Sequence, residues 1–68
     1  MPHQKFSKRE SEVFFRIIQG RRNLDIAHDL KISEKTVSSY KSRICQKLSA
    51  STTADIIRYA YTNHLLNA

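Results

Sequence analysis

The sequence predicts an all-α fold, a compact four-helix domain that contains a helix-turn-helix. Three observations support this prediction. The chain has only one Gly and one Pro, it contains no alternating apolar pattern of strand length, and its apolar residues recur at helical spacing. With 68 residues, it can form no more than one domain with a small core.

The first predicted helix begins at Ser7, because Ser7-x-x-Glu10 has the pattern of a capping box. In such a box, each of the two side chains accepts a hydrogen bond from a backbone amide that the helix leaves unpaired. Gly20 is expected to end this helix. The apolar residues between these limits recur at helical spacing and predict one inner face. They are Val13, Phe14, Ile17 and Ile18.

Two further helices are predicted on either side of a tight turn at residues 31–33. Asn23 is the predicted N-cap of the first, a short helix, and Ser33 is the predicted N-cap of the longer second one. The inner residues of the short helix are Ile26, Ala27 and Leu30. Those of the longer helix are Val37, Tyr40, Ile44 and Leu48.

The fourth predicted helix follows a short polar connection and begins with a second capping-box pattern, Thr52-x-x-Asp55. We expect it to end near Asn63. Its predicted inner residues are Ile57, Ala60 and Tyr61. Ile56 and Tyr59 would then lie on a second, smaller apolar face, with Asn63 between the two faces.

The charge of the chain indicates an anionic partner. Twelve Lys and Arg residues against six Asp and Glu give a net charge of +6, which favours nucleic acid first and an acidic membrane surface second. No apolar run reaches the length of a membrane span, and the N-terminus has no apolar core of a secretory signal. The single cysteine, Cys45, excludes an internal disulfide and fits a reducing, cytoplasmic location.

The second and third helices have the features of a helix-turn-helix at about residues 23–42, because they are joined by a turn of three or four residues and the later helix is basic. Residues 31–47 contain five basic residues and one acidic residue. On a helical wheel that starts at Val37 and advances about 100° per residue, one group of polar residues lies opposite the inner stripe of this helix. This set comprises Lys35, Ser38, Ser39, Ser42 and Gln46, with Arg43 at its edge.

The serines of this face suit a helix that reads DNA bases. Small side chains let the helix approach the base edges, and each hydroxyl both donates and accepts hydrogen bonds. We therefore interpret Ser38, Ser39 and Ser42 as base-reading residues, with part of the specificity coming from DNA shape. The predicted phosphate contacts are Lys35, Thr36, Lys41, Arg43 and Lys47, together with the Tyr40 hydroxyl.

The segments "SKRESEV", "DIAHDLKIS", "TVSSYKSRI" and "KL" closely resemble the motifs of the LuxR/FixJ-type DNA-binding domain. The resemblance runs from Phe6 to Ala60 and covers most of the chain. It implies a four-helix output domain, usually at the C-terminal end of a bacterial transcription regulator, with the third helix as the recognition helix. The family's base-reading positions fall on Ser38, Ser39 and Ser42, and its backbone contacts fall near Thr36 and Lys41.

The resemblance also implies partners. Response regulators of this family carry a phosphorylated receiver domain in front, so residues 1–5 are interpreted as a linker or an artificial start and residues 6–66 as the domain. A Ser-Ser-x-Lys-Ser segment, as at residues 38–42, occurs in a subset of two-component response regulators. We expect a weak homodimer contact between fourth helices, through the Ile56 and Tyr59 face and Asn63, that forms on paired DNA sites.

Several positions depart from the family pattern. The frequent Lys and His after Thr-Val are Ser38 and Tyr40 here, so the family's operator preferences do not transfer. Two usual glycines are Ser49 and His64, so the two loops are not expected to match in detail.

Two other functions are compatible with a basic helix-turn-helix. A sigma-factor-like promoter-binding region shares the helix-turn-helix but usually ends soon after the recognition helix. A protein-interaction module would use the same basic face on an acidic protein. No nucleophile motif or oxyanion loop is present, so catalysis is not expected. No cofactor is expected, since His3, His28 and His64 have no metal-ligand spacing.

Overall fold

The computed structural model describes residues 5–63, which form four α-helices and contain no strand. The helices are α1 (Lys8–Ile18), α2 (Asn23–Leu30), α3 (Glu34–Leu48) and α4 (Thr53–Thr62). This confirms the predicted all-α, four-helix fold. The third helix, α3, packs against each of the other three helices. Residues 1–4 and 64–66 of the predicted linker and domain lie outside the described residues.

All four helices contribute to one hydrophobic core. Phe14 of α1, Ile26 of α2, Ile44 of α3 and Ile56 of α4 are each fully buried. The predicted inner faces of α1, α2 and α3 are confirmed, with Leu30, Tyr40 and Leu48 partly buried at the margin of the core. Phe15 is 45% exposed and packs edge-on against Phe14 at 5.3 Å between ring centroids.

Three helix N-termini are capped as the sequence predicts. The Ser7 hydroxyl accepts from the backbone N–H of Glu10 at 3.1 Å, and the Glu10 carboxylate accepts from that of Ser7 at 2.8 Å. Thr52 and Asp55 form the equivalent pair, with both distances 3.2 Å. The Ser33 hydroxyl accepts from the N–H of Thr36 at 3.0 Å. These bonds pair amides that would otherwise be free.

The predicted N-cap at Asn23 is wrong by one residue. Arg22 occupies the cap position with an extended backbone and without a side-chain hydrogen bond, and Asn23 is the first residue of α2. The chain reaches Arg22 just after Gly20, whose φ of 85° turns it out of α1. The Asn23 side chain is therefore directed at α3, where its amide lies 3.5 Å from the Ser38 hydroxyl.

The turns that follow α2 and α3 both use the left-handed backbone region. Lys31 ends α2 with φ of 56°, and Ser49 ends α3 with φ of 55°. This region is strained for residues with a Cβ. Residues 31–33 form the predicted tight turn, which sets α3 against α2.

A partly buried ion pair joins α1 to the last turn of α3. Glu10 is only 4% exposed, and its carboxylate lies 2.6 Å from the ammonium of Lys47. The same ammonium donates to the backbone carbonyl of Lys5 at 3.1 Å. The hydrogen bond from Lys47, followed by that from the backbone of Ser7, lowers the pKa of Glu10. Lys47, a predicted phosphate contact, is therefore already paired with Glu10 within the domain.

The predicted inner face of α4 is confirmed for Ala60 but wrong for Ile57 and Tyr61. Ile56 and Ala60 are fully buried, whereas Tyr61 is 63% exposed and Ile57 is half-buried. Tyr59 is half-buried and packs its ring against Phe14, with centroids 6.4 Å apart. Ile56, Ala60 and Asn63 follow an i, i+4, i+7 spacing, which forms one continuous stripe on a helix.

This shift also corrects the predicted dimer contact. Ile56 is inaccessible in the folded domain, and Tyr59 packs against the domain's own core. The Asn63 side-chain amide donates to the backbone carbonyl of Tyr59 at 2.8 Å. Ile56 therefore cannot contact a partner in the folded domain, whereas Tyr59 and Asn63 are each half-buried.

The observed burial of α4 predicts that replacing Ile56 destabilises the domain more than replacing the neighbouring Ile57. Replacing the fully buried Ile56 with Ala should lower the free energy of unfolding by about 2–5 kcal/mol, because it leaves a cavity in the core. The matched control Ile57→Ala removes the same atoms from a half-buried site and should cost clearly less. Urea unfolding followed by circular dichroism measures both. Equal losses, or a larger loss for Ile57→Ala, would contradict this burial pattern.

The Glu10 pair predicts a pH-dependent contribution to stability. Because the folded pKa of Glu10 lies below its ordinary value of 4.5, the contribution is fully present above about pH 4.5 and is lost as the pH falls through the folded pKa. At neutral pH, Glu10→Gln should lower the free energy of unfolding by about 1–3 kcal/mol. The difference from the unmodified protein should shrink in acid.

A surface pair on the same helix provides the control for this measurement. Glu12 pairs with Arg9 at 3.1 Å, with both side chains well exposed, so Glu12→Gln should change stability by well under about 1 kcal/mol. Denaturant unfolding at several pH values compares the two variants. A Glu10→Gln deficit that stays constant from neutral pH into acid would show that the carboxylate charge is not its source.

Candidate nucleic-acid interface

One side of α3 is free of packing contacts. Its predicted outward position is confirmed, since all six side chains of the polar set are exposed. They are Lys35, Ser38, Ser39, Ser42, Arg43 and Gln46. On the opposite side, Val37 and Ile44 are fully buried. The two sides of α3 thus divide cleanly between the core and a surface of hydroxyl, amide and cationic groups, which we call the outer face of α3.

The start of α3 is held firmly by its N-cap. The hydroxyls of Ser33 and Thr36 lie 2.9 Å apart, and Ser33 also accepts from the Thr36 backbone. Thr36 is half-buried as a result. It sits at the edge of the turn at residues 31–33, beside the exposed Lys35. The helix N-terminus and its neighbouring cation therefore lie together at one end of the outer face.

An open groove runs beside the outer face, between α3 and the first residues of α2 and α4. Its lining includes Asn23, Ser38, Lys41, Ser42, Gln46 and Thr53. Cys45 also borders it and is partly buried against the core, as expected for a small apolar side chain. The sequence indicated neither Asn23 nor Thr53 as part of this surface, because their approach to α3 depends on the packing of separate helices.

The α4 end of the groove has its own internal hydrogen bonds. The Asp55 carboxylate accepts from the backbone N–H groups of Ser51, at 3.0 Å, and Thr52. These bonds, with that from Ser51 the stronger, lower the pKa of Asp55. The negative charge of Asp55 is thus used to cap α4 next to the groove.

The three serines of the outer face have different hydrogen-bonding surroundings. The Ser39 hydroxyl donates to the backbone carbonyl of Lys35 at 3.1 Å. The Ser38 hydroxyl oxygen lies 3.5 Å from the side-chain amide of Asn23, which acts as the donor. The Ser42 side chain has no hydrogen-bond partner within residues 5–63. The three serine hydroxyls therefore differ in their hydrogen bonding: Ser39 already donates, Ser38 faces a donor, and Ser42 has no partner in the described residues.

The aromatic ring of Tyr40 connects the core to the outer face. Its ring is partly buried against the core, and the guanidinium of Arg43 lies 5.6 Å from the ring centroid. A cation over an aromatic face at this distance is attracted by the ring quadrupole. Tyr40 therefore limits where the Arg43 charge can go, and it keeps that charge beside Ser39 and Ser42 along the helix.

The cations of the domain fall into two groups. Arg16 and Arg21 both bind Asp29 of α2, and Lys47 binds Glu10, so these charges serve the scaffold. In contrast, Lys35, Lys41 and Arg43 have no carboxylate partner within residues 5–63. Three cations without a carboxylate partner in the described residues therefore lie on or beside the outer face of α3.

Other kinds of site find no support in the part of the chain that the structure describes. Residues 5–63 contain no cluster of three His, Cys, Asp or Glu side chains able to hold a metal ion. His28 is exposed, and His3 and His64 lie outside the described residues. None of the four described helices is long and apolar enough to cross a membrane.

Comparison with known proteins identifies the family. The family model described as bacterial regulatory proteins, luxR family, matches residues 4–60 of the chain. The chain belongs to the luxR family. The match covers all of α1, α2 and α3 and most of α4, and it confirms the resemblance based on the sequence motifs.

Three curated relatives of this luxR-family domain are named as transcription regulators. The chain is 37% identical to the transcriptional regulatory protein LiaR of Bacillus subtilis, over 98% of its own length and 32% of the relative's. It is 44% identical to the virulence-factor transcription regulator BvgA of Bordetella pertussis, over 87% and 28% of the two lengths. It is 42% identical to the DNA-binding transcriptional activator EvgA of Escherichia coli, over 87% and 29%. The chain spans about a third of the length of these relatives.

The luxR-family domain therefore brings together most, but not all, of the residues that the sequence indicated. The three serines lie on one exposed face with Lys35 and Arg43, and Thr36, Tyr40 and Lys41 border that face. Lys47 is bound to Glu10 instead. The additional groove residue closest to a serine is Asn23, whose position the sequence suggested only as a helix cap.

Proposed function

We propose that this luxR-family domain binds duplex DNA with sequence preference, by inserting α3 into the major groove. The observation that carries the proposal is the outer face of α3, where exposed serines lie beside cations that have no carboxylate partner within residues 5–63. A major groove about 12 Å wide admits an α-helix. The three serines would bring the helix backbone close to the base edges.

The cations would supply most of the affinity through phosphate contacts. Lys35, Lys41 and Arg43 are the proposed contacts, with Thr36 at the start of α3 and the Tyr40 hydroxyl beside Arg43. Lysine and arginine contacts release counterions from DNA, so binding should weaken steeply as salt increases. The serine hydroxyls form weaker, neutral hydrogen bonds, and they would select among sequences rather than provide the affinity.

The whole protein is proposed to be a cytoplasmic bacterial response regulator. The relatives LiaR, BvgA and EvgA are about three times longer than the matched region, which leaves room for another domain in each of them. By family resemblance, that domain would be an N-terminal receiver, and the domain described here would be the output domain. Transcription regulation, rather than an enzymatic reaction, is the function that the names of these relatives support.

Two copies are proposed to pair on DNA through the exposed side of α4. This proposal omits Ile56, which is fully buried, and Tyr59, which packs against the domain's own core. The side that remains available carries Tyr61, which is 63% exposed, together with Arg58 and Ala54. These three residues follow helical spacing and form one stripe. So small a patch would associate weakly in solution and more strongly where adjacent DNA half-sites raise the local concentration.

The proposed phosphate contacts predict a change in salt dependence. Lys41→Ala and Arg43→Ala should each weaken binding to all duplexes and reduce the slope of log affinity against log salt by about one unit. Lys8→Ala is the charge-matched control, because Lys8 is exposed on α1, and it should leave the slope nearly unchanged. Fluorescence anisotropy over a salt series, with selected and unrelated duplexes, measures these effects. Three equal slopes would contradict the proposed interface.

The exposed stripe of α4 predicts a selective loss of cooperativity. Tyr61→Ser should leave binding to a single half-site nearly intact and should reduce cooperative binding to a paired site. Leu24→Ser is the control, because Leu24 on α2 is also 63% exposed. Band-shift titrations on one-site and two-site duplexes distinguish the two variants. Unchanged cooperativity of Tyr61→Ser would show that this side of α4 is not the pairing surface.

A further inference from the structure

We propose that the neighbouring serines Ser38 and Ser39 present opposite hydrogen-bonding polarity to DNA. Ser39 accepts a hydrogen bond from the exocyclic amino group of an adenine or a cytosine. Ser38 donates to an acceptor, which is a purine N7, a guanine O6 or a thymine O4. This inference rests on the proposed function and adds the base-edge chemistry that each position selects.

Ser39 is proposed to act as an acceptor because its only hydroxyl proton is already donated within the helix. A serine hydroxyl has one hydrogen to donate and two lone pairs that accept. Ser39 is exposed, and its hydroxyl donates to the Lys35 carbonyl at 3.1 Å. Bonding of this kind to the carbonyl four residues earlier is common for serine in helices. The lone pairs that remain can only accept, so Ser39 matches a donor on the DNA.

The polarity of Ser38 follows from its neighbour on α2. The Asn23 group that faces Ser38 is the side-chain NH₂, which can only donate, and it lies 3.5 Å from the hydroxyl oxygen. The oxygen of Ser38 is thus directed at a donor, and its proton stays free to point into the groove. The distance is long for a hydrogen bond, so the bias at Ser38 is weaker than that at Ser39.

Ser42 provides the internal comparison. Its side chain has no hydrogen-bond partner within residues 5–63, so its hydroxyl can rotate to donate or to accept. The major groove presents acceptors at purine N7, guanine O6 and thymine O4, and donors at the amino groups of adenine and cytosine. Ser39 should therefore discriminate bases most strongly, Ser38 less, and Ser42 least.

The first test is selection of bound duplexes from a random pool. The unmodified protein should select, at one position, a base whose amino group lies in the major groove. Ser39→Ala should lose this preference and shift it toward thymine, because a methyl side chain contacts the thymine methyl group. Ser42→Ala is the matched control and should leave this position unchanged. Alanine is a better helix former than serine, so both variants should fold, and thermal melting is the measurement that checks this.

The second test places a chemical probe in the selected site. N6-methyladenine or N4-methylcytosine at the Ser39 position keeps base pairing but replaces the amino hydrogen that faces the groove. This probe should weaken binding of the unmodified protein by about three- to tenfold, as expected for one lost hydrogen bond, and should affect Ser39→Ala much less. A 7-deazapurine at the Ser38 position should weaken the unmodified protein if N7 is the acceptor selected there, and should affect Ser38→Ala less.

The outcomes separate this inference from the proposed function. If the unmodified protein selects no sequence at all, the proposed function itself fails. If a sequence is selected but Ser39→Ala keeps the amino-group preference, the polarity of Ser39 is overturned while DNA binding remains. Equal weakening of the unmodified protein and Ser39→Ala by the methylated base would overturn it as well. Asn23→Ala should relax the preference at the Ser38 position, and an unchanged preference would overturn the proposed role of Asn23.

Discussion

The packing of α3 against the other three helices is the constraint on which the rest of the structure depends. Val37 and Ile44 are completely buried, and their positions fix the rotation of α3 about its own axis. Once that rotation is fixed, the 3.6-residue period of the helix places Ser38, Ser39 and Ser42 outward. The proposed DNA-binding surface is therefore a consequence of the core, and its precision depends on how firmly the core holds α3.

The cations that form ion pairs within the domain are different residues from the cations of the outer face of α3. Asp29 binds two arginines near the junction of α1 and α2, and Glu10 binds Lys47. The cations of the outer face are left without carboxylate partners in residues 5–63, and Arg43 is limited instead by the ring of Tyr40. An arginine held over an aromatic ring loses little further freedom when it meets a phosphate. Lys35, Lys41 and Arg43 thus remain available on and beside the outer face of α3.

The Glu10–Lys47 pair has a second structural consequence. Only the Glu10 carboxylate is withdrawn from water, since the side chain of Lys47 is 37% exposed. Here the pair connects the N-cap of α1 to the last turn of α3, and the same ammonium binds the carbonyl of Lys5. The residues just before α1 are therefore attached directly to α3. The pair fixes geometry in a domain whose core is small.

Local pattern in the sequence determined the four helices, the caps at Ser7, Ser33 and Thr52, and the outward face of α3. Each of these depends on residues within four or five positions of one another, so helical periodicity and cap chemistry were sufficient. Three features depended on tertiary structure, because each joins residues from separate helices or chooses between two similar faces. Glu10 and Lys47 are 37 residues apart, and no local pattern pairs them. Asn23 meets Ser38 only because α2 packs on α3.

The phase of α4 shows most clearly where the sequence was insufficient. Ile56 and Ile57 begin two apolar stripes of nearly equal quality on the same short helix, and periodicity alone does not rank them. The structure buries Ile56 with Ala60 and exposes Tyr61, because the space beside Phe14 of α1 accepts the ring of Tyr59. Sequence alone thus determined which segments are helical and which face of α3 is free. The complementary shape of the neighbouring helices decided which face of α4 is buried.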